Sequence, residues 1–186
     1  MVYFPIFGYD KGLTLSEENA RRLIDDAKIL FEKKRYSSAS YLAIQGMEEV
    51  GKALLLLRYK REKKEITKSQ WKNVFCQHKL KLDEVQKAIT KHVGKFRVFE
   101  GFGTAKKYWS DDRVQEWLVK ALKREKDDFA YVDYDFQNQK WLIPFKPDKI
   151  DFEGVVKAFV FSYTNSAIYA LEKEKEKFRH MEAKEA

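Results

Sequence analysis

The sequence is poor in the residues that cross-link or interrupt a chain. Its 186 residues include one cysteine, three prolines and eight glycines. The single cysteine, Cys76, excludes an intrachain disulfide and a cysteine-rich metal site, and it is typical of a protein in a reducing cytoplasm. The shortage of proline and glycine favours long helices. We therefore predict an all-α protein with a cytoplasmic location.

Long apolar runs are also missing, because no stretch approaches 18 uninterrupted apolar residues, and we expect no membrane span. The apolar residues 1–7 lack a basic start and are too short for a secretory signal. Hydrophobic residues still make up 44% of the chain, enough for one domain, residues 1–186, with a sizeable core. The net charge of +8 permits binding to nucleic acid or to an acidic protein.

Helical periodicity and capping signals predict about five helices after an irregular N-terminal arm, residues 1–13. Ser16 and Ser37 are the expected N-caps of the first two helices, and a capping box at Thr67–Gln70 opens the third. The helices are expected at about 16–34, 37–62, 67–94, from 110–112 onward and from 151 onward. Alternating aromatics at 129–145 predict a small β-hairpin or an ordered loop, and residues 172–186 a charged helical tail.

The second predicted helix contains the most unusual stretch, residues 41–57. Its apolar residues point in every direction around a helix, which predicts a central, buried helix. Glu48, Glu49 and Lys52 interrupt this stretch. The i,i+4 spacing predicts a Glu48–Lys52 pair, whereas Glu49 has apolar neighbours and needs a partner from elsewhere. Either a structural ion pair or a polar site on a core helix explains these charges.

His78 follows at helical spacing in an apolar stripe of the third predicted helix. The stripe therefore predicts that His78 lies on the buried face, where a lone histidine is more often a hydrogen-bonded core residue than a functional one. Lysines border the stripe and make its rim basic. The stripe consists of Trp71, Phe75, His78, Leu82, Val85 and Ile89, and the rim of Lys72, Lys79, Lys81 and Lys87.

Five segments of the sequence carry recognisable motifs, and the most specific motif is Glu-Glu-x-Gly-Lys at residues 48–52. The segments are Asn19–Ala27, Tyr36–Ala53, Phe75–Lys81, Tyr131–Asp133 and Trp141–Pro144. Together, in this order, they resemble the AbiV group of abortive-infection proteins, a branch of the HEPN superfamily. The resemblance implies a HEPN-like helical bundle, a homodimer and an antiphage effector that a phage protein triggers and that shuts down host growth or translation.

The resemblance also implies metal-independent RNA cleavage, because HEPN ribonucleases carry an Arg, four to six residues and then a His. The nearest match here begins at Lys72 and ends at His78. Lysine keeps the positive charge but loses the planar, two-point grip of arginine on phosphate. On one regular helix the two side chains would also lie about 120° apart. A site shared across a two-fold axis would relieve this.

In the implied reaction His78 acts as general base or acid on the ribose 2′-hydroxyl, leaving a 2′,3′-cyclic phosphate. Lys72 stabilises the developing phosphate charge and Asn73 orients a phosphate oxygen or the histidine. Glu48 or Glu49 holds the imidazole tautomer.

The neighbouring lysines Lys52, Lys79 and Lys81 are expected to bind the substrate, which is RNA rather than DNA because the reaction needs the 2′-hydroxyl. No metal or cofactor is expected, since the three histidines lack zinc-protease spacing. Cys76 and His78 diverge on a helix, which argues against a Cys–His nucleophile. A helical module that binds a phage or host protein without catalysis is the alternative, and the lysine at position 72 favours it.

Overall fold

A computed structural model describes six segments of the chain, and its helices form an all-α bundle of the predicted class. The expected fourth helix lies outside these segments. No helix within them is both long and apolar enough to cross a membrane. The described residues are 3–4, 8–62, 66–93, 133–135, 140–142 and 152–185.

Six α-helices and four short strands make up these segments. The helices are α1 Tyr9–Glu32, α2 Tyr36–Arg61, α3 Lys68–Cys76, α4 His78–His92, α5 Phe152–Lys157 and α6 Thr164–Glu185. The strands are β1 Tyr3–Phe4, β2 Ile66–Thr67, β3 Asp133–Asp135 and β4 Lys140–Leu142.

The strands form two small antiparallel pairs. In the first, β1 pairs with β2, so that Tyr3 lies opposite Thr67. The N-terminal arm is therefore shorter than predicted, and α1 begins at Tyr9 rather than at Ser16, which is buried within the helix. In the second pair, β3 lies against β4 with Tyr134 opposite Trp141, within the segment where the sequence predicts a hairpin or loop.

Helix α2 is the centre of the bundle, as its all-round apolar pattern predicts. Fourteen of its 26 residues are buried, and it begins one residue before the predicted cap Ser37. Small residues allow α1 to pack closely along it. Ala20 and Ala43 are fully buried, and a Cβ on Gly46 would lie only 2.7 Å from Ile24 Cγ1.

The predicted third helix is in fact two helices, α3 and α4, separated at Gln77. This residue has extended dihedral angles, φ −93° and ψ 97°, and serves as the N-cap position of α4. The capping box is confirmed: Gln70 N donates to Thr67 Oγ1 at 3.2 Å, and Thr67 N donates to Gln70 Oε1 at 2.9 Å. The break matters for the site because it starts a new helix at His78.

Helix α4 approaches α2 so closely that only glycine fits at the crossing. A Cβ placed on Gly51 would lie 2.1 Å from the carbonyl oxygen of Lys81 and 2.8 Å from its Cα. Neither backbone can yield to such a clash without shifting its helix. Gly51 therefore brings the first turns of α4 against the middle of α2.

The C-terminal helical segment contains a π-helical turn, Ala158–Tyr163, between α5 and α6. Thr164 is buried and donates from Oγ1 to the Val160 carbonyl at 2.5 Å. Burial raises the pKa of Tyr163, whose hydroxyl stays protonated and donates to Gln86 on α4. The π-helical turn thus contributes to fixing α4 in the bundle.

Helix α6 is tied to the bundle by ion pairs in its middle, so the predicted charged tail is not solvated throughout. Glu174 accepts hydrogen bonds from Lys91 and, at 2.6 Å, from His92 Nε2. Burial alone would raise the pKa of Glu174, but these hydrogen bonds outweigh burial and hold the pKa below its usual value. Lys175 similarly bonds Glu17 on α1 at 2.5 Å.

We predict that Gly51→Ala destabilises the protein by about 1–3 kcal/mol or more, the usual cost of overpacking a rigid contact. Urea denaturation monitored by circular dichroism measures the loss. Gly12→Ala is the matched control, because its Cβ would meet no backbone atom and only the tip of the Leu56 side chain, Cδ1, at 3.2 Å. Alanine also has the higher helix propensity, so this control should stay within about 1 kcal/mol of wild type. Equal losses in both variants would contradict the close approach.

We predict that Glu174→Gln makes the free energy of unfolding change less steeply with pH in the acid range. A carboxylate with a lowered folded-state pKa stabilises the fold above its unfolded pKa of about 4.3, and the stabilisation is lost as pH falls through the folded value. The unfolding free energy of wild type should therefore fall more steeply below about pH 5 than that of the variant. Glu176→Gln, at an exposed pair with Lys173, should change this slope much less. Identical slopes in all three proteins would contradict the prediction.

Candidate functional site

The site is built around a buried carboxylate on α2, Glu48. Its side chain is only 5% exposed, yet the single oxygen Oε2 lies 2.6 Å from His78 Nδ1 and 3.0 Å from Lys81 Nζ. Both partners come from the first turn of α4, which Gly51 holds against α2. Of the two adjacent glutamates, Glu48 and not Glu49 therefore faces the histidine.

His78 is the first residue of α4, and its side chain is 53% exposed. The prediction that it lies on a buried apolar face was wrong, because the chain breaks at Gln77 and His78 lies at the exposed start of the new helix. Its ring nevertheless has a fixed partner. Ionised carboxylate oxygens only accept hydrogen bonds, so in the contact with Glu48 His78 Nδ1 is the donor. In the neutral imidazole, Nε2 is then the free base.

Lys81 lies beneath this pair rather than on a surface open to substrate. Its side chain is 4% exposed and donates to Glu48 Oε2 and, at 3.4 Å, to the Phe75 carbonyl. A buried cation of this kind is stable only because a carboxylate and a carbonyl surround it. Contrary to the expectation of substrate binding, the buried ammonium group of Lys81 is not open to substrate but holds Glu48 in place and joins it to the end of α3.

Glu49 has a different partner from the one expected. It bonds Lys52 on the same helix, with Lys52 Nζ at 2.6 and 2.7 Å from its two oxygens. The predicted Glu48–Lys52 pair is therefore wrong, as is the need for a distant partner for Glu49. Lys52 also lies over the Phe75 ring, 5.4 Å from its centroid, so this second pair borders the site without contacting His78.

The remaining predicted residues lie on either side of the break. Lys79 is exposed on the first turn of α4, next to His78. Lys72 and Asn73 lie on α3, and their side chains are outside what the structure describes. The 120° argument against Lys72 and His78 assumed one continuous helix and no longer applies, because Gln77 redirects the chain between them.

Aromatic side chains hold α3 beside the site. From the sequence they were expected only to pack in the apolar stripe. The ring centroids of Trp71 and Phe75 lie 4.7 Å apart, and the Trp71 ring also packs edge-on against Tyr9, with 6.2 Å between the centroids. Only the recurrence of aromatics near His78 could have indicated this role. Among the described residues, no three His, Cys, Asp or Glu side chains converge as metal ligands would.

Comparison with protein families places this helical bundle in the HEPN type, for which abortive infection and antiviral defence are the known context. Residues 9–154 match the family model HEPN_AbiV, described as AbiV. The chain therefore belongs to the AbiV family. No curated protein and no solved structure matches it significantly.

We predict that Glu48→Gln destabilises the protein by about 3–5 kcal/mol, because it leaves the buried Lys81 ammonium group facing a neutral amide. Glu49→Gln is the matched control, since its part-buried pair with Lys52 is more exposed than the Glu48–Lys81 pair and its loss should cost less. Chemical denaturation at pH 7 compares the two variants. A larger loss for Glu49→Gln would show that the inward carboxylate has been misassigned.

Proposed function

We propose that the protein is a metal-independent endoribonuclease that acts in abortive infection, with His78 and Glu48 at its active site. The observation that carries this proposal is the 2.6 Å contact between Glu48 and Nδ1 of a histidine whose side chain is half exposed. A buried carboxylate behind one ring nitrogen leaves the other as a base of fixed orientation. This is the arrangement that general acid–base chemistry needs.

In this reaction Nε2 of His78 takes the proton from a ribose 2′-hydroxyl, and the resulting oxygen attacks the adjacent phosphorus. The bond to the 5′-oxygen breaks, that oxygen receives a proton, and a 2′,3′-cyclic phosphate remains. Glu48 accepts a hydrogen bond from Nδ1 throughout the reaction and stabilises the imidazolium that forms. The exposed Lys79 is placed to bind a phosphate oxygen, and Lys72 and Asn73 contribute from α3.

A homodimer would complete this site. One imidazole serves as base in the attack, and a second acid must protonate the leaving oxygen. A two-fold axis near His78 would supply that acid from the second copy, together with a second set of lysines. The exposure of His78 at the start of α4 is compatible with such a position.

We predict that purified protein cleaves RNA in the presence of EDTA and that His78→Ala lowers the rate by at least about 10²-fold, the lower range of general acid–base contributions. The products should end in 2′,3′-cyclic phosphate, and DNA of the same sequence should stay intact because it lacks the 2′-hydroxyl. The assay is repeated on RNA extracted from phage-infected cells that contain the protein, because a phage protein can act as the trigger inside those cells.

His92→Ala is the matched control for this assay. His92 lies at the other end of the same helix and also bonds a glutamate, Glu174, at 2.6 Å. Its loss should leave cleavage close to the wild-type rate. Equal loss in both variants would indicate a general effect on α4, and an unchanged rate in His78→Ala would exclude this histidine from catalysis.

The second candidate is a helical module that binds a phage or host protein without catalysis. The specific observation in its favour is the His92–Glu174 pair itself, in which the same two residue types simply join two helices. The pair of His78 and Glu48 would then have the same structural role. Failure to cleave RNA both in purified form and in infected cells would support this candidate.

A further inference from the structure

A second charged site lies where α2, α4 and α6 meet, apart from His78. It surrounds a cavity of about 150 Å³. Three aliphatic side chains contribute to its wall, and every other lining residue is charged. The charged residues are Arg58, Arg61, Glu84, Lys87, Lys91 and Glu174.

The charges around this cavity do not balance. Glu84 Oε1 accepts from Arg58 at 2.8 Å and from Lys87 at 2.9 Å. Glu174 in turn lies 3.5 Å from Arg61 and is bonded by Lys91. Two carboxylates thus serve four permanent cations, which leaves a formal excess of two positive charges at one cavity.

Exposure places this excess toward solvent. The Glu84 and Glu174 side chains are 10% and 11% exposed, whereas those of Lys87 and Lys91 are 68% and 48% exposed. A solute that approaches the cavity therefore meets the cations first. Apolar walls beside the cations lower the local dielectric constant and strengthen the attraction for an anion.

We propose that this cavity binds the phosphate group of a phosphate monoester or free phosphate. Such a group carries about two negative charges near neutral pH, which match the excess of two. The two guanidinium groups have further N–H donors in the planar fork that suits phosphate oxygens. The cavity, of about 150 Å³ and open on one side, has room for a phosphate group.

The bound phosphate would join three helices, because its partners come from α2 and α4 and two of them, Arg61 and Lys91, are held by Glu174 of α6. The inference does not depend on RNA cleavage, since none of these residues belongs to the His78 site. Inorganic phosphate, adenosine monophosphate, and a deoxyoligonucleotide with and without a 5′-phosphate are suitable probes. The oligonucleotides lack the 2′-hydroxyl, so the proposed nuclease cannot consume them.

The test measures binding of each probe by isothermal titration calorimetry at constant ionic strength, and compares wild type with the double variant Lys87→Gln/Lys91→Gln. This double variant removes the excess charge and leaves one arginine on each glutamate, so the fold should persist, as circular dichroism would check. Lys28→Gln/Lys173→Gln is the matched control, because it removes the same charge from two i,i+3 pairs elsewhere. We expect one phosphate per chain in wild type and control, with affinity about tenfold weaker in the double variant, the equivalent of two modest ion pairs.

The probes distinguish the sources of the phosphate. Binding of adenosine monophosphate and of the 5′-phosphorylated oligonucleotide, but not of its 5′-hydroxyl form, would support a monoester site. Binding of inorganic phosphate alone would restrict the site to the free ion. The proposal is overturned if both double variants lose affinity equally, if none of the probes that carry a phosphate monoester or are free phosphate binds wild type, or if the two oligonucleotides bind alike.

Discussion

The contact between Gly51 and the backbone of Lys81 is the constraint on which the candidate site depends. A side chain at position 51 would collide with the Lys81 carbonyl at 2.1 Å. The close approach places Glu48, one turn before Gly51, beside His78, one turn before Lys81. One glycine therefore determines the distance between a carboxylate and an imidazole that belong to different helices.

Burial of Glu48 then determines what the histidine can do. Desolvation makes an unpaired carboxylate in this position costly, so the Lys81 ammonium group and the His78 ring are both needed as partners. The same lysine reaches the Phe75 carbonyl and joins the end of α3 to the start of α4. Packing and site geometry are consequently inseparable here, and a substitution at Glu48 or Lys81 acts on both.

Helix α4 is anchored at both ends by a histidine and a glutamate, but the two anchors differ in exposure. The His78 side chain is 53% exposed and that of His92 is 17% exposed. Only the first is open enough to meet a substrate, whereas the second lies among ion pairs with α6. This difference is the physical basis for proposing a functional role for His78 and Glu48 and a structural role for His92 and Glu174.

The amino-acid sequence by itself determined the all-α class, the central position of α2, the capping box at Thr67–Gln70 and the family. These properties follow from apolar periodicity, from local hydrogen bonding and from motifs that are read along the chain. Only the tertiary structure decided that Glu48 rather than Glu49 faces His78 and that His78 begins a new helix. Gln77 carries no local breaking signal, and the identity of a buried carboxylate depends on which helix packs against it, so contacts between distant segments had to decide both.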